Sequence, residues 1–312
     1  MKRYLSAWCN TSPTALIAHS AIAAVFVMVL LATGSAGAEP TPRAPSKIAS
    51  LGGDITEIIY ALGASELIVA IDSTSQYPTE ALKSKKNVGY LRALSTEGVL
   101  ATGATQIIAS DRAGPPEVVV ALKAASIPYR EIEDKNDPQG VANKIRNVGN
   151  LIERRMQAND LAEKVLSKFA TVEKARSQIK DKRRAIFVIG VRNGRATVAG
   201  RGTSADAMIT LSGAVNAAGG IEGFKPVTDE QLVELAPDVV IVMNQSDPRH
   251  DAVGEAKSLQ GLRSSPALTH NRFLGVDGLY MIGFGPRAPD AASDLMRALY
   301  PEQSSLLTTL RP

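Results

Sequence analysis

Short apolar runs alternate with longer amphipathic stretches along much of this chain. The apolar runs have the length and the β-branched content of buried strands, and they lie at 47–51, 67–72, 105–110, 127–132, 184–191, 238–244 and 272–277. Helical patterns separate them, as in ITEIIYALG at 55–63 and EVVVALKAAS at 117–126. This alternation of strand and helix predicts an α/β fold with mainly parallel sheets.

The middle of the chain has a different pattern, because apolar residues recur there at spacings of three and four without a strand between them. They are Val141, Ile145, Val148 and Ile152, followed by Leu161, Val165, Phe169 and Val172. Asp137 and Pro138 suit the N-cap and the first turn of a helix. The charged stretch 153–160 divides the region into two helices. A continuous helix from Asn159 to Lys180 would be about 33 Å long.

A helix of that length can join two lobes as a rigid rod. The sequence therefore predicts an N-terminal α/β lobe over 44–157, a linker helix over 158–181 and a C-terminal α/β lobe over 182–312. Each lobe is expected to be Rossmann-like, with a central and mainly parallel sheet.

The two predicted lobes share one kind of helix start. LSTEGVL at 94–100 matches VTDEQLV at 227–233 in residue type. Ser95 and Thr228 are the expected N-caps, and Gln231 completes a capping box with Thr228. An apolar strand follows each helix start, so the two lobes are expected to repeat one structural unit.

The first 38 residues have the pattern of a secretory signal peptide. Lys2 and Arg3 precede an apolar stretch over 15–32, and small residues end at Ala38, where cleavage is expected. The apolar core at 22–32 is too short to cross a bilayer, which takes about 20 residues. The pattern predicts a mature chain that is exported to the periplasm.

Cleavage after Ala38 changes the chemistry that the chain can carry. It removes Cys9, the only cysteine, so disulfides and thiol catalysis are excluded. It also removes His19 and leaves two histidines, too few for a three-histidine metal site. The formal charge of the whole chain is +4, and two of its cations lie in the signal peptide. A charge balance this even gives no reason to expect nucleic acid as a partner.

The chain carries none of the common catalytic motifs, such as G-x-S-x-G, H-E-x-x-H or a phosphate-binding loop. A binding protein needs only two lobes and a few groups directed into the cleft between them. Tyr90 and Arg92 are the best candidates, because residues two apart in an extended chain point to the same side. The cation would favour phenolate over phenol, which gives ferric iron a hard oxygen donor. A partly buried tyrosine beside a solvated arginine is the simpler interpretation of the same spacing.

Six segments, taken in order, resemble the periplasmic haem-binding proteins of bacterial haem ABC importers. They are SLGGDITEIIYALGA, DSTSQYP, VGYLRALSTEGVL, AGPP, AGRGTSADAMI and DGLYMIGFGPRAP, and the similarity extends from Lys47 to Leu299. The resemblance implies the fold of the class III periplasmic binding proteins, with haem as the transported ligand. It also implies that Tyr90 is an axial ligand of the haem iron and that Arg92 supports it. It implies no enzymatic activity.

The same resemblance implies partners. In the wider class, glutamates similar to Glu97 and Glu230 engage arginines on two permease subunits. These residues are therefore expected to dock on an ABC permease dimer in the inner membrane, with an outer-membrane haem receptor system upstream. Either glutamate is also explained by its favourable place in the first turn of a helix. Arg287, in GFGPR, is expected either to contact the haem propionates or to form a buried structural pair.

The second axial ligand and the number of haems stay open. His250 lies in a polar loop and His270 precedes an apolar strand, and both have the pattern of surface residues. Met208, Met243 and Met281 have the pattern of core residues. One alternative function is the same fold carrying a ferric siderophore or a corrinoid, for which the tyrosine would be an ordinary cleft residue. Another is a periplasmic enzyme that works with carboxylates.

Overall fold

A computed structural model of the chain describes residues 46–244 and 250–303. The predicted signal peptide lies outside the described residues. The described chain forms two α/β lobes connected by a long helix. Within these residues, no helix is both long enough and apolar enough to cross a membrane.

The N-terminal lobe, over 46–151, is built on one parallel sheet. Its strands are β1 (Ile48–Leu51), β2 (Ile68–Ile71), β3 (Lys86–Asn87), β4 (Gln106–Ser110) and β5 (Tyr129–Ile132). Its helices are α1 (Gly53–Ala61), α2 (Glu80–Ser84), α3 (Thr96–Leu100), α4 (Pro116–Ala124) and α5 (Pro138–Leu151), with a turn of 3₁₀ helix at Ser65–Leu67. The strand order is β3–β2–β1–β4–β5. The predicted strands here are confirmed, and the short edge strand β3 was not predicted.

Both faces of this sheet are covered by apolar side chains, as expected for parallel strands. All four residues of β1 are buried. Ile48 belongs to the cluster on one face, and Ala49 and Leu51 belong to the cluster on the other face. The carboxyl ends of the strands, and the helix starts that follow them, are therefore left to form the rim of the lobe.

The long connecting helix is α6 (Arg155–Arg176). Its 22 residues correspond to about 33 Å, although it begins and ends earlier than the expected 158–181. The predicted division from α5 occurs at Glu153, whose φ of 59° lies in the left-handed region. Gly149 allows the two helices to approach closely, since a Cβ atom there would lie 2.1 Å from that of Ala158. The two helices pack tightly against each other across this break.

The C-terminal lobe has a mixed sheet in its described part. Its strands are β6 (Arg184–Arg192), β7 (Arg195–Ala199), β8 (Val215–Asn216), β9 (Phe224–Pro226), β10 (Val239–Met243) and β11 (Phe273–Val276). Its helices are α7 (Ser204–Leu211), α8 (Asp229–Leu235), α9 (Ala252–Lys257), α10 (Pro266–Thr269), α11 (Gly278–Ile282) and α12 (Ala288–Leu299), with turns of 3₁₀ helix at Gln260–Leu262 and Pro301–Gln303. The order is β11–β10–β6–β7–β9, and β8 pairs with β6.

The antiparallel part of this sheet was not predicted. Strands β11, β10, β6 and β8 are parallel, whereas β7 runs antiparallel to both β6 and β9. Asn193 and Gly194 connect β6 to β7, with φ values of 51° and 73°. An Asn-Gly pair with two positive φ angles is the preferred connection of a two-residue β-hairpin, so the sequence did contain the signal.

The two predicted helix starts are confirmed. The Ser95 hydroxyl accepts a hydrogen bond from the Gly98 amide at 3.0 Å. The Thr228 hydroxyl accepts from the Gln231 amide at 3.3 Å, and the Thr228 amide donates to the Gln231 side chain at 2.9 Å. Strand β4 follows the first helix and β10 follows the second, so the pair occupies corresponding places in the two lobes.

Candidate functional site

A cavity of 580 Å³ lies between the two lobes and is lined by residues of both. Its size falls within the range of about 300 to 1,000 Å³ that is usual for small-molecule sites. Tyr90 and Arg92 line it from the N-terminal lobe, and Arg287 lines it from the C-terminal lobe. Glu97 and Glu230 are not among its lining residues. The structure thus brings together the three predicted haem-binding residues and leaves the two predicted docking residues elsewhere.

The backbone that presents Tyr90 is a turn. The extended conformation expected for it is wrong, because the Ala93 amide donates to the Tyr90 carbonyl at 2.8 Å. Leu91 and Leu94 are buried in the apolar cluster of the N-terminal lobe and anchor this turn. Since the leucines point inward, Tyr90 remains 51% exposed and Arg92 is also exposed. Both side chains line the cavity because of this turn, and not because of the extended backbone that was predicted.

The side chains of Tyr90 and Arg92 have no hydrogen bond and no ion pair within the described part of the chain. The other two arginines that line the cavity form ion pairs with carboxylates. Arg112 pairs with Asp134 at 3.0 Å, and Arg287 pairs with Glu57 at 3.0 Å. A ligand in the cavity therefore meets a free phenol and a free guanidinium side by side.

Two further tyrosines line the cavity, and both are engaged. The Tyr280 hydroxyl donates to Asp294 at 2.8 Å. Burial and this hydrogen bond raise the pKa of the Tyr280 phenol, so that it stays neutral. Tyr77 carries the Arg287 guanidinium on its ring face, 3.5 Å from the ring centroid. Tyr280 is therefore unsuited to act as an anionic oxygen donor, whereas the hydroxyls of Tyr90 and Tyr77 have no hydrogen-bond partner among the described residues.

The carboxylates that line the cavity all have protein partners. Asp54 and Asp134 both bind the buried ammonium of Lys144. Burial alone would lower the pKa of Lys144, but these two carboxylates outweigh it and raise that pKa. Burial raises the pKa of the Glu57 carboxyl, and its contacts with Arg287 oppose that rise. Asp277 remains, and it caps α11 by accepting from the Tyr280 amide at 2.9 Å.

The histidines and methionines considered from the sequence lie away from the cavity lining. The His250 imidazole is 3.2 Å from Glu255, and His270 is exposed at the end of α10. Met208 and Met281 are buried, and Met243 packs against Gly278. Among the described residues, no group of three or more histidine, cysteine and acidic side chains is placed to hold a metal ion.

Both predicted docking glutamates are exposed, on the short helices α3 and α8. Glu97 follows the Ser95 cap in the first turn of α3, and Glu230 lies at the same place after Thr228. Hydrogen bonds to its own amide and to Thr228 lower the pKa of Glu230, which keeps this carboxylate charged.

Several residues of the site were not predicted from the sequence, and they are Glu57, Tyr77, Arg112 and Tyr280. A signal existed for Glu57, because it lies between Ile55 and Ile58 in an otherwise apolar part of α1. A buried carboxylate in such a place needs a partner. No local pattern identified that partner, since Arg287 is 230 positions away.

Comparison with known protein families gives a match over residues 48–277 to a family described as periplasmic binding protein. The chain belongs to the periplasmic binding protein family. Among solved structures, this periplasmic binding protein is similar to the periplasmic heme-binding protein RhuT from Roseiflexus sp. RS-1 in its apo form. The two are 35% identical, with a TM-score of 0.78 over 82% of this chain and 98% of that one.

A second similar structure is the periplasmic heme-binding protein BhuT in complex with two hemes. It is 31% identical, with a TM-score of 0.76 over 85% of this chain and 99% of that one. The periplasmic binding protein is also 27% identical, over 266 residues, to an uncharacterized ABC transporter substrate-binding lipoprotein, YvrC, of Bacillus subtilis strain 168. That match covers 83% of this chain and 82% of the relative. The resemblance to periplasmic haem-binding proteins and the class III α/β fold are thereby confirmed.

Proposed function

We propose that this protein captures haem in the cavity between its lobes and delivers it to an ABC permease, with Tyr90 as the iron ligand. The observation that carries the proposal is the free phenol of Tyr90, which lines the cavity beside the free guanidinium of Arg92. A phenolate is a hard anionic oxygen donor, and ferric haem iron accepts such a ligand. RhuT and BhuT, to which this chain is similar, are heme-binding proteins, and this supports haem as the ligand.

The rest of the cavity suits a flat apolar macrocycle. Phe224, Leu279 and Ile282 line it from the C-terminal lobe and give that side an apolar surface. Pockets of this kind bind mainly through apolar contact, while a few polar groups fix the orientation. Tyr90 would hold the iron from the N-terminal lobe, and the other face of the porphyrin would lie against these apolar side chains of the C-terminal lobe.

The carboxylates of haem need cations as partners. Two arginines that line the cavity, Arg92 and Arg287, can supply them, but they differ in how far the protein already occupies their N–H groups. Arg92 has a guanidinium without a protein partner in the described residues, and we assign it to support the iron-bound Tyr90. Arg287 is paired with Glu57 through Nη2, but its Nε is buried and has no partner in the described part of the chain. The side chain is 29% exposed and lines the cavity, so we assign its accessible N–H groups, and not the buried Nε–H, to a haem propionate.

Delivery requires an exported protein with a docking surface. The signal peptide, cleaved near Ala38, would place the chain in the periplasm, where an outer-membrane haem receptor system would supply haem. Glu97 and Glu230 are exposed at corresponding points of the two lobes, so they suit a permease dimer with one cationic contact on each subunit.

Titration of the mature chain with hemin tests this function. We expect a saturable complex with the visible spectrum of ferric tyrosinate haem. A ferric siderophore and cyanocobalamin, added in parallel, are expected to form no complex that survives gel filtration. Retention of either of those ligands in place of hemin would assign the cavity to the alternative cargo.

The supporting role of Arg92 gives a prediction of its own. Arg92→Ala is expected to retain a haem complex but to raise the pH at which the tyrosinate bands develop, because the cation that favours phenolate is lost. Arg92→Lys should restore much of the effect, since it restores the charge. The measurement is a pH titration of each hemin complex followed in the visible range. Identical midpoints for the wild type and Arg92→Ala would remove the proposed role.

A further inference from the structure

The two lobes touch each other through the segment 284–287, in addition to their connection by α6. The Arg287 guanidinium donates to Glu57 Oε2 at 3.0 Å, and the Arg287 amide donates to Glu57 Oε1 at 3.1 Å. Glu57 lies on α1 of the N-terminal lobe, and its side chain is only 9% exposed. This ion pair therefore crosses the cleft and is largely shielded from water.

Aromatic rings hold the same guanidinium from two sides. It lies 3.5 Å from the ring centroid of Tyr77, in the N-terminal lobe, and 5.0 Å from that of Tyr280, in the C-terminal lobe. A cation over an aromatic face is attracted to it, and the attraction is larger where water is excluded. Arg287 is thus fixed in position and in orientation, with one partner ring from each lobe.

The backbone of the segment fits closely against the N-terminal lobe. A Cβ atom on Gly285 would lie 3.2 to 3.3 Å from the carboxyl atoms of Glu57, so a glycine permits this approach. The Phe284 carbonyl accepts a hydrogen bond from the Lys144 ammonium at 3.3 Å. Phe284 is buried and has a φ of 49°, which is unusual for a bulky residue and requires support from its surroundings.

All of these contacts join protein groups to protein groups, so they do not depend on a ligand. We propose that Glu57 and Arg287 form a cross-lobe clamp, which fixes the width of the cleft and thereby makes these residues determinants of ligand thickness. Lys144 supports the clamp through its hydrogen bond to the Phe284 carbonyl, and the rings of Tyr77 and Tyr280 support it by packing against the Arg287 guanidinium. The consequence for ligand choice rests on the proposed function.

The clamp selects a ligand by what it excludes. A porphyrin ring is thin and flat, whereas a corrinoid carries bulky groups on both faces of its ring. A fixed gap admits the first and clashes with the second, which is discrimination by exclusion of the wrong ligand. Loss of the clamp weakens this restriction, because the Glu57–Arg287 ion pair then no longer sets the distance between the lobes.

The clamp is tested by the distance between the lobes. The mature chain has no cysteine, so spin labels can be placed at Val120→Cys and Val233→Cys, which replace valines that are 67% and 51% exposed on the two lobes. Double electron–electron resonance without any added ligand is expected to give a single narrow distance. Glu57→Ala and Arg287→Met, made in this labelled chain, are expected to lose the narrow peak.

Matched variants control for folding and for charge. Lys168→Met removes an exposed ion pair with Asp290, at 2.9 Å, and should leave the distance unchanged. Glu57→Gln keeps the shape of the side chain and removes its charge, so it stays informative if Glu57→Ala fails to fold by circular dichroism. For Glu57→Gln we expect a distance distribution whose width lies between those of the parent chain and Glu57→Ala. The proposal would be overturned by a broad distance distribution in the parent chain. It would also be overturned if clamp variants that are folded keep the narrow distribution.

Ligand choice is measured on the same proteins with hemin and cyanocobalamin. The parent is expected to bind hemin alone, and the clamp variants are expected to lose part of that discrimination. Unchanged discrimination in variants with a broadened distance would overturn the link between cleft width and selectivity. A parent that fails to bind hemin and still shows the narrow distance would count against haem as the ligand and support the clamp, so the two failures are distinguishable.

Discussion

Tyr90→Phe is expected to abolish the ferric tyrosinate bands of the hemin complex and to weaken hemin binding by more than about 100-fold. Even a residue that only supports a metal ligand is typically worth about 10- to 100-fold in affinity, and a direct ligand should be worth more. The substitution removes one oxygen atom and keeps the ring. Because Tyr90 is half exposed and its side chain has no hydrogen-bond partner in the described residues, the fold loses little.

Tyr280→Phe is the matched control for this result. Its hydroxyl also belongs to a tyrosine that lines the cavity, but that hydroxyl is bonded to Asp294. We expect the tyrosinate bands to persist in Tyr280→Phe. The visible spectrum and a hemin titration of both variants give the answer. If Tyr90→Phe kept the bands and Tyr280→Phe lost them, iron ligation would belong to the second lobe.

Reversing both docking glutamates, with Glu97→Lys and Glu230→Lys, is expected to abolish haem transfer to the reconstituted permease while hemin binding stays nearly unchanged. Both residues are exposed and lie outside the cavity lining. Lysines there would face the cations that the glutamates are proposed to meet, and like charges across an interface slow encounter and weaken contact. Each single reversal should have a partial effect.

The control for the double reversal changes the net charge by the same amount at other places. Glu133→Lys with Glu163→Lys alters two exposed glutamates whose side chains are 67% and 70% accessible. We expect it to transfer haem normally. The deficit of the docking variant should also depend on salt, because screening at 0.15 M acts over about 8 Å. Normal transfer by the Glu97 and Glu230 double variant would leave these residues with only their role at the helix starts.

The architecture of each lobe was predictable from local patterns. Apolar runs gave the positions of the buried strands, and the Asp137 cap is observed, with the carboxylate accepting from the Gly140 amide at 2.8 Å. Such features depend on residues within a few positions of each other, so a single sequence contains them. The β6–β7 hairpin was not predicted, although Asn193 and Gly194 are the preferred residue types for such a connection.

The site was only partly predictable, for physical reasons that differ between residues. Tyr90 and Arg92 were predicted from their spacing together with the resemblance to haem-binding proteins, but the turn that presents them depends on the burial of Leu91 and Leu94 against the sheet. The partnership of Glu57 with Arg287 depends on how two lobes meet. Contacts of that kind are set by tertiary packing and have no local sequence signal.

Titration of the mature chain with hemin, followed by its visible spectrum, tests the central claim most directly. We expect saturable binding to the wild-type chain, ferric tyrosinate charge-transfer bands that grow in parallel with it, and no displacement by excess cyanocobalamin. A spectrum that remains that of free hemin, or a complex that cyanocobalamin displaces, would contradict the claim that this protein binds haem through Tyr90.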